Sequence, residues 1–138
     1  MKKPVKIITG ILGFIILVPG LQKFTEPYKT FVFQQLSLSG IPFAEVLQYF
    51  VKFSQIGVGS VLIFLAYKGN TLNKSLKNKL FYLGNFAIIT MMLVATYVHL
   101  HPNVPAHIVP IKPPVIPISY IVLVSINLYL NSKQAINN

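Results

Sequence analysis

Three strongly polar side chains fall within or at the end of long apolar stretches of the chain. They are Lys23, Gln55 and His99. At a rise of about 1.5 Å per residue in a helix, each is expected in the half of the bilayer nearer the same membrane face. Ionisable and strongly polar groups are costly inside a membrane, so they are functional candidates by default. We therefore expect the three side chains to approach one another near one end of a helical bundle.

Aromatic residues close to these positions along the chain predict an apolar lining for the site. A cavity with apolar walls and a few polar anchors is typical of small-ligand sites. The alternative is structural, with Lys23 extending to the interface, Gln55 making one interhelical hydrogen bond and His99 at a wet helix end. The aromatic candidates are Phe24, Phe43, Phe53 and Tyr97.

A second cluster of candidates consists of His99, His101 and His107. Three imidazoles can form an open zinc site, but this spacing matches no recognised metal motif and no carboxylate is placed beside it. We therefore predict no metal and interpret these histidines as capping or interfacial residues.

Several catalytic chemistries lack their residues. The chain has no cysteine, which excludes disulfides, thiolate nucleophiles and iron–sulfur ligation within it. Its two carboxylates, Glu26 and Glu45, are expected in an outer loop, and no G-x-S-x-G sequence is present. No catalytic residue is predicted, and the chain is not expected to be an enzyme by itself.

The elements that must position these residues are four apolar stretches, each close to the roughly 20 residues that a membrane helix needs. They predict an all-α membrane protein, a four-transmembrane-helix bundle forming a single domain over residues 1–138. A soluble bundle is disfavoured because the stretches are apolar on all faces. The first is expected to be a permanent span, since no small-residue cleavage site follows it. The predicted spans are about 5–24, 46–67, 79–100 and 115–132.

Charge supplies an orientation. All 12 basic residues are lysine, and without arginine the chain lacks the bidentate chemistry favoured for nucleic acid, so no nucleic-acid partner is expected. Eight lysines lie in the tails and the 68–79 connection and four on the other side. Both termini are therefore predicted to be cytoplasmic, in contact with anionic lipid, in a multi-pass protein of the cell membrane, expected to be a bacterial inner membrane.

The two outer connections are more apolar than ordinary loops. Between Thr25 and Pro42, with Thr25 as N-cap, the spacing of Tyr28, Phe31 and Val32 predicts a short extracytoplasmic amphipathic or re-entrant helix that ends at 39–40. Residues 102–117 contain six prolines. They predict a stiff, extended strap over the mouth of the bundle.

Five short motifs resemble the DoxX-like family of small membrane proteins: GLQKF at 20–24, SGIP at 39–42, QIGVG at 55–59, YKG at 67–69, and the third span ending in ATYVH at 95–99. The resemblance implies a four-helix membrane bundle and a link to redox biology, since some relatives are subunits of quinone-linked oxidoreductases. It carries the polar positions over to Lys23, Gln55 and His99. Many relatives have glutamate where this chain has Gln55, which puts any carboxylate-dependent activity in doubt.

Three functions follow as hypotheses. The favoured one is an accessory subunit of a quinone-linked membrane redox system, with a quinone or another lipid-soluble ligand in the outer pocket. The second is a structural or chaperone-like partner of another membrane protein, docking through faces that carry Gly10, Gly13, Gly57 and Gly59, which are otherwise helix-packing positions. A transporter or channel has less support, because no carboxylate lies at the membrane midplane and no inverted repeat is evident.

Overall fold

Four long helices and one short helix make up most of the described part of the chain. The computed structural model describes residues 1–136, which contain no strand. A 3₁₀ turn, Gly69–Thr71, continues α3, and another, Ala106–Ile108, lies between the last two helices. The helices are α1 (Lys3–Gln22), α2 (Tyr28–Leu38), α3 (Ala44–Lys68), α4 (Lys74–Leu100) and α5 (Val115–Ile136).

The helices α1, α3, α4 and α5 are each long and apolar enough to cross a membrane. This confirms the predicted all-helical architecture with four membrane-length spans, as in a multi-pass membrane protein. The helix ends differ from the predicted spans most at α4, which begins at Lys74 rather than near 79. There the Asn73 side chain accepts a hydrogen bond from the Leu76 N–H at 2.7 Å, so a capped polar turn precedes the apolar segment.

The four long helices pack in a closed ring. α1 contacts α3, α3 contacts α4, α4 contacts α5, and α5 returns to α1. The core they share is aliphatic apart from one phenylalanine and one methionine. Its buried residues are Val5, Leu12, Ile16, Leu62, Leu65, Phe81, Ile88, Met92 and Val124.

The closest approach is between α1 and α3, which run antiparallel. A Cβ added to Gly13 would lie 2.8 Å from the Gly59 carbonyl oxygen, and one added to Gly59 would lie 2.8 Å from the Gly13 carbonyl oxygen. Gly10 faces Ala66 at 3.3 Å, so these three glycines are packing positions as predicted. Gly57 differs, because nothing lies within 4 Å of an added Cβ there.

The predicted short helix is present as α2. Its apolar face is as expected, with Val32 and Leu36 each 4% exposed. Its end at Ser39 is also as expected, because Gly40 has the left-handed conformation, with φ of 71°, that commonly follows a helix. The predicted N-cap is wrong: α2 begins at Tyr28 after Pro27, while the Thr25 hydroxyl donates to the Gln22 carbonyl oxygen at 2.8 Å.

In the structure the strap comprises residues 101–114, which connect α4 to α5, because the last three residues of the predicted 102–117 segment belong to α5. Val104, Ile108 and Val109 are buried with Val98 of α4 in a second apolar cluster, against which Phe31 of α2 packs. The strap is held by three side chains that hydrogen-bond to its carbonyl oxygens: Lys112 to His101 and Val104, Gln35 of α2 to Ile108, and His99 of α4 to Ile111. The apolar character that distinguished this segment from a solvated linker is thus explained by burial.

Candidate functional site

Two of the three predicted polar residues meet across the α1–α3 interface. The Lys23 ammonium, just after the last residue of α1, donates to Gln55 Oε1 of α3 at 2.9 Å. It also lies 3.5 Å from the Pro19 carbonyl oxygen. Proline at position 19 contributes a kink-prone turn at this end of α1. The pair therefore joins the end of α1 to the middle of α3.

A glycine brings the two helices close enough for this contact. A Cβ added to Gly20 would lie 2.9 Å from the Gln55 Cβ and 3.2 Å from the Ile56 backbone nitrogen. The same turn of α1 thus supplies both the close approach and, three residues later, the lysine. Gln55 is 8% exposed at this contact.

A second lysine belongs to the site and was not predicted. Lys52 is fully buried on α3, one turn before Gln55, and its ammonium donates to Gln48 Oε1 at 3.1 Å. The ammonium also lies 4.8 Å from the ring centroid of Tyr49 and 5.4 Å from that of Phe24, both cation–π distances. The signal for Lys52 was a charged residue inside an apolar stretch, although its charge was used only in the lysine count that predicts orientation.

Phe24 and Phe53 form the aromatic wall. Their ring centroids are 5.5 Å apart at an interplanar angle of 63°, an edge-to-face arrangement. Phe24 is 41% exposed and Phe53 62% exposed, so both rings present apolar surface to the surroundings of the bundle. Phe43, the third predicted aromatic at this end, is 80% exposed at the start of α3 and has a left-handed backbone conformation.

The pair of Lys23 and Gln55 keeps unused hydrogen-bond donors. Gln55 Nε2 makes no hydrogen bond to any residue that the structure describes. One proton of the Lys23 ammonium is used by Gln55 and another points toward Pro19. No buried side-chain nitrogen or oxygen of the described residues lacks a partner, so the unused donor of Gln55 is accessible at the surface of the bundle. A ligand with carbonyl or anionic oxygens would satisfy these donors.

His99 and Tyr97 take other partners. His99 Nδ1 lies 2.7 Å from the Ile111 carbonyl oxygen of the strap, and the Tyr97 hydroxyl donates to the Ser39 carbonyl oxygen at 2.9 Å. Both side chains therefore fasten the end of α4 to neighbouring outer segments. None of their described hydrogen bonds joins them to Lys23 or Gln55, so the seven residues of the predicted lining do not form one hydrogen-bonded group.

The histidines do not form a metal centre within the described residues, which contain no group of three His, Cys, Asp or Glu that could hold a metal. His101 Nδ1 accepts a hydrogen bond from the Asn103 N–H at 3.3 Å. The His101 ring packs edge-on against the Tyr97 ring, with the two ring centroids 5.6 Å apart. Neither carboxylate makes a hydrogen bond to Lys23, Gln55 or Lys52 among the described residues, although Glu26 lies close enough to attract the Lys52 ammonium. Glu26 Oε2 accepts from the Thr30 hydroxyl at 2.6 Å, and Glu45 lies in the first turn of α3 rather than in a loop.

A buried polar network lies deeper in the bundle and was also missed. Asn127 of α5 donates through Nδ2 to Thr9 Oγ1 of α1 and to Asn85 Oδ1 of α4, each at 3.1 Å. Asn85 donates in turn to the Phe81 carbonyl oxygen at 2.8 Å. All three polar residues are 0% exposed. Two asparagines inside apolar spans were the available signal.

No protein family, curated protein or solved structure matches the chain. The resemblance to DoxX-like proteins therefore rests on its motifs alone.

Proposed function

We propose that this chain is a DoxX-like accessory subunit of a quinone-linked membrane redox system. Its ligand site is the group formed by Lys23, Gln55, Phe24 and Phe53. The Lys52 ammonium lies against the Phe24 ring of this group. The observation that carries the proposal is the Lys23–Gln55 contact of 2.9 Å, which leaves the Gln55 amide nitrogen without a partner in the described residues.

Quinone chemistry suits this group of side chains. A quinone headgroup has carbonyl oxygens that accept hydrogen bonds and a flat apolar ring that packs on aromatic side chains. Lys23 and Gln55 supply donors, and the exposed faces of Phe24 and Phe53 supply the apolar contact. The chain holds, orients and desolvates the headgroup, while a partner subunit carries out electron transfer.

The remaining hypotheses have less support. Gly13 and Gly59 contact each other within the bundle, which removes them from the surface proposed for docking a partner. A transporter still lacks a carboxylate near the middle of a span, because Glu45 lies in the first turn of α3 and Glu26 precedes α2.

Orientation and location are part of the same proposal. The lysine-rich face, which carries the start of α1 and the 68–79 connection, is cytoplasmic, and the quinone site, α2 and the strap face outward. We place the chain in the cell membrane, the inner membrane in a bacterium, with α2 lying at the outer interface.

The test is quinone binding by the purified protein in lipid nanodiscs. A short-chain ubiquinone analogue is titrated and its dissociation constant measured from the shift in thermal unfolding midpoint. Lys23→Met and Gln55→Leu should each weaken binding by about 10- to 100-fold, the range for losing a hydrogen bond to a charged or buried group. Lys29→Met, at an exposed lysine near the same end, should leave the dissociation constant unchanged.

His99 and Tyr97 are not part of the proposed site, since their described hydrogen bonds go to other partners. His99→Ala should not change quinone affinity, because His99 bonds to the strap. An unshifted midpoint for the wild-type protein, or equal affinities of wild type and Lys23→Met, contradicts the quinone site. Recovery of the tagged protein from native membranes without a redox subunit contradicts the accessory role.

A further inference from the structure

A groove runs along the lipid-facing side of α1 and α3 at the end opposite the quinone site. Its volume is about 740 Å³, within the roughly 300–1,000 Å³ of small-molecule sites. Its walls are apolar, with Ile11 47%, Phe14 61% and Tyr67 77% exposed. Two lysines lie at one end. The lining residues used in the argument are Lys3, Lys6, Gly10, Phe14, Ile63 and Tyr67.

The length of the groove corresponds to one leaflet of a bilayer. Lys3 and Phe14 are separated by 11 positions of α1, which is about 16 Å along the helix axis. Half of a hydrocarbon core is about 15 Å. An acyl chain that begins at the lysines therefore reaches Phe14 near the bilayer midplane.

The mouth of the groove carries lysines, and none of the residues lining it that the structure describes is a carboxylate. Lys6 and Tyr67 line both the groove and an adjoining small cleft, which also contains Lys77 and the Met1 ammonium. Burial, with the charges of Lys77 and Lys6, lowers the pKa of that ammonium below its ordinary value. Both glutamates lie at the opposite ends of the antiparallel helices, Glu26 after α1 and Glu45 at the start of α3.

We propose that this groove is a binding site for an anionic phospholipid. The phosphate lies between Lys3 and Lys6, and one acyl chain lies along α1 and α3 as far as Phe14. Charge complementarity selects this occupant over a zwitterionic lipid. A second copy of the chain fits poorly, because in the same orientation it brings further lysines, and no glutamate, to this membrane face.

A single tryptophan provides the readout, because the chain contains none. Phe14→Trp places it in the groove at a position that is already 61% exposed, so folding should be retained. Phe86→Trp is the matched control: it lies 12 positions after the start of α4, at similar depth, and is 56% exposed outside the groove. Each variant is placed in phosphatidylcholine nanodiscs containing either brominated phosphatidylglycerol or brominated phosphatidylcholine, and fluorescence quenching is measured.

The tryptophan at position 14 should be quenched with a preference of roughly 25-fold for the anionic lipid, about five-fold for each lysine. The tryptophan at position 86 should show a preference close to one. Lys3→Gln combined with Lys6→Gln should remove the preference at position 14. Lys74→Gln combined with Lys79→Gln, two exposed lysines at the same membrane face, should retain it.

Three results would overturn the proposal: equal preferences at positions 14 and 86, a preference unchanged by the Lys3 and Lys6 substitutions, or a position-14 tryptophan that neither lipid quenches. In the last case, quenching that appears on dilution of the protein in lipid identifies a second copy as the occupant. Native mass spectrometry of the wild-type protein is an independent measurement, and release from mixed nanodiscs without retained phosphatidylglycerol would equally refute the site.

Discussion

Single polar residues in this bundle fall into two groups that differ in how their hydrogen bonds are satisfied. Asn127, Thr9 and Asn85 are fully buried and bond to one another across three helices. Lys23 and Gln55 also bond to each other, but the Gln55 amide nitrogen has no hydrogen-bond partner among the described residues. A network whose hydrogen bonds are all satisfied holds helices in place, whereas a pair with an unused donor at the edge of the bundle is able to bind a ligand.

The closed network leads to a prediction at this scale. Asn127→Ala should lower the free energy of unfolding by about 1–2 kcal/mol, because it removes three interhelical hydrogen bonds and leaves Asn85 Oδ1 without its donor. Equilibrium unfolding in mixed micelles measures the change. Ser125→Ala is the control, since Ser125 is exposed and its hydroxyl bonds only to the Ile121 carbonyl oxygen of its own helix. Equal stabilities of the two variants would show that the network contributes nothing.

Elements determine which of the predicted site residues meet. Position along a chain gives the depth of a residue in a membrane helix, and on that basis Lys23, Gln55 and His99 were expected at similar heights. The direction in which each side chain points around the bundle depends on how the helices are rotated, and that is set by tertiary contacts such as Gly20 against Gln55. Consequently the number and place of the spans could be predicted, whereas the separation of His99 from Lys23 could not.

Two glycines in α3 test the close packing that sets this rotation. Gly59→Ala would place a Cβ 2.7 Å from the Leu17 backbone nitrogen, so α1 and α3 must separate, and the free energy of unfolding should fall by about 1–3 kcal/mol. Gly57→Ala adds the same atom where nothing lies within 4 Å, and it should be neutral or stabilising by up to about 1 kcal/mol. The Lys23–Gln55 contact should be weakened only by the first substitution, measured as reduced quinone affinity. Similar losses of stability for both would contradict the packing.

The whole molecule has two chemically different ends, and its orientation decides which leaflet each end serves. The lysine-rich end carries the groove proposed to bind anionic lipid, and the opposite end carries the proposed quinone site, α2 and the strap. Because the chain has no cysteine, single cysteines report on each end without background. Asn70→Cys and Asn103→Cys form a matched pair, as both asparagines are exposed and lie in connections at opposite ends. In intact cells a membrane-impermeant thiol reagent should label the cysteine at 103 and not the one at 70, and permeabilisation should expose both. The reverse pattern would place the lysine-rich end outside, contrary to the expected excess of lysine in the cytoplasm. It would also transfer the proposed lipid groove to the outer leaflet and the proposed quinone site to the cytoplasmic one, so that the proposed redox partner would have to be sought on the other face.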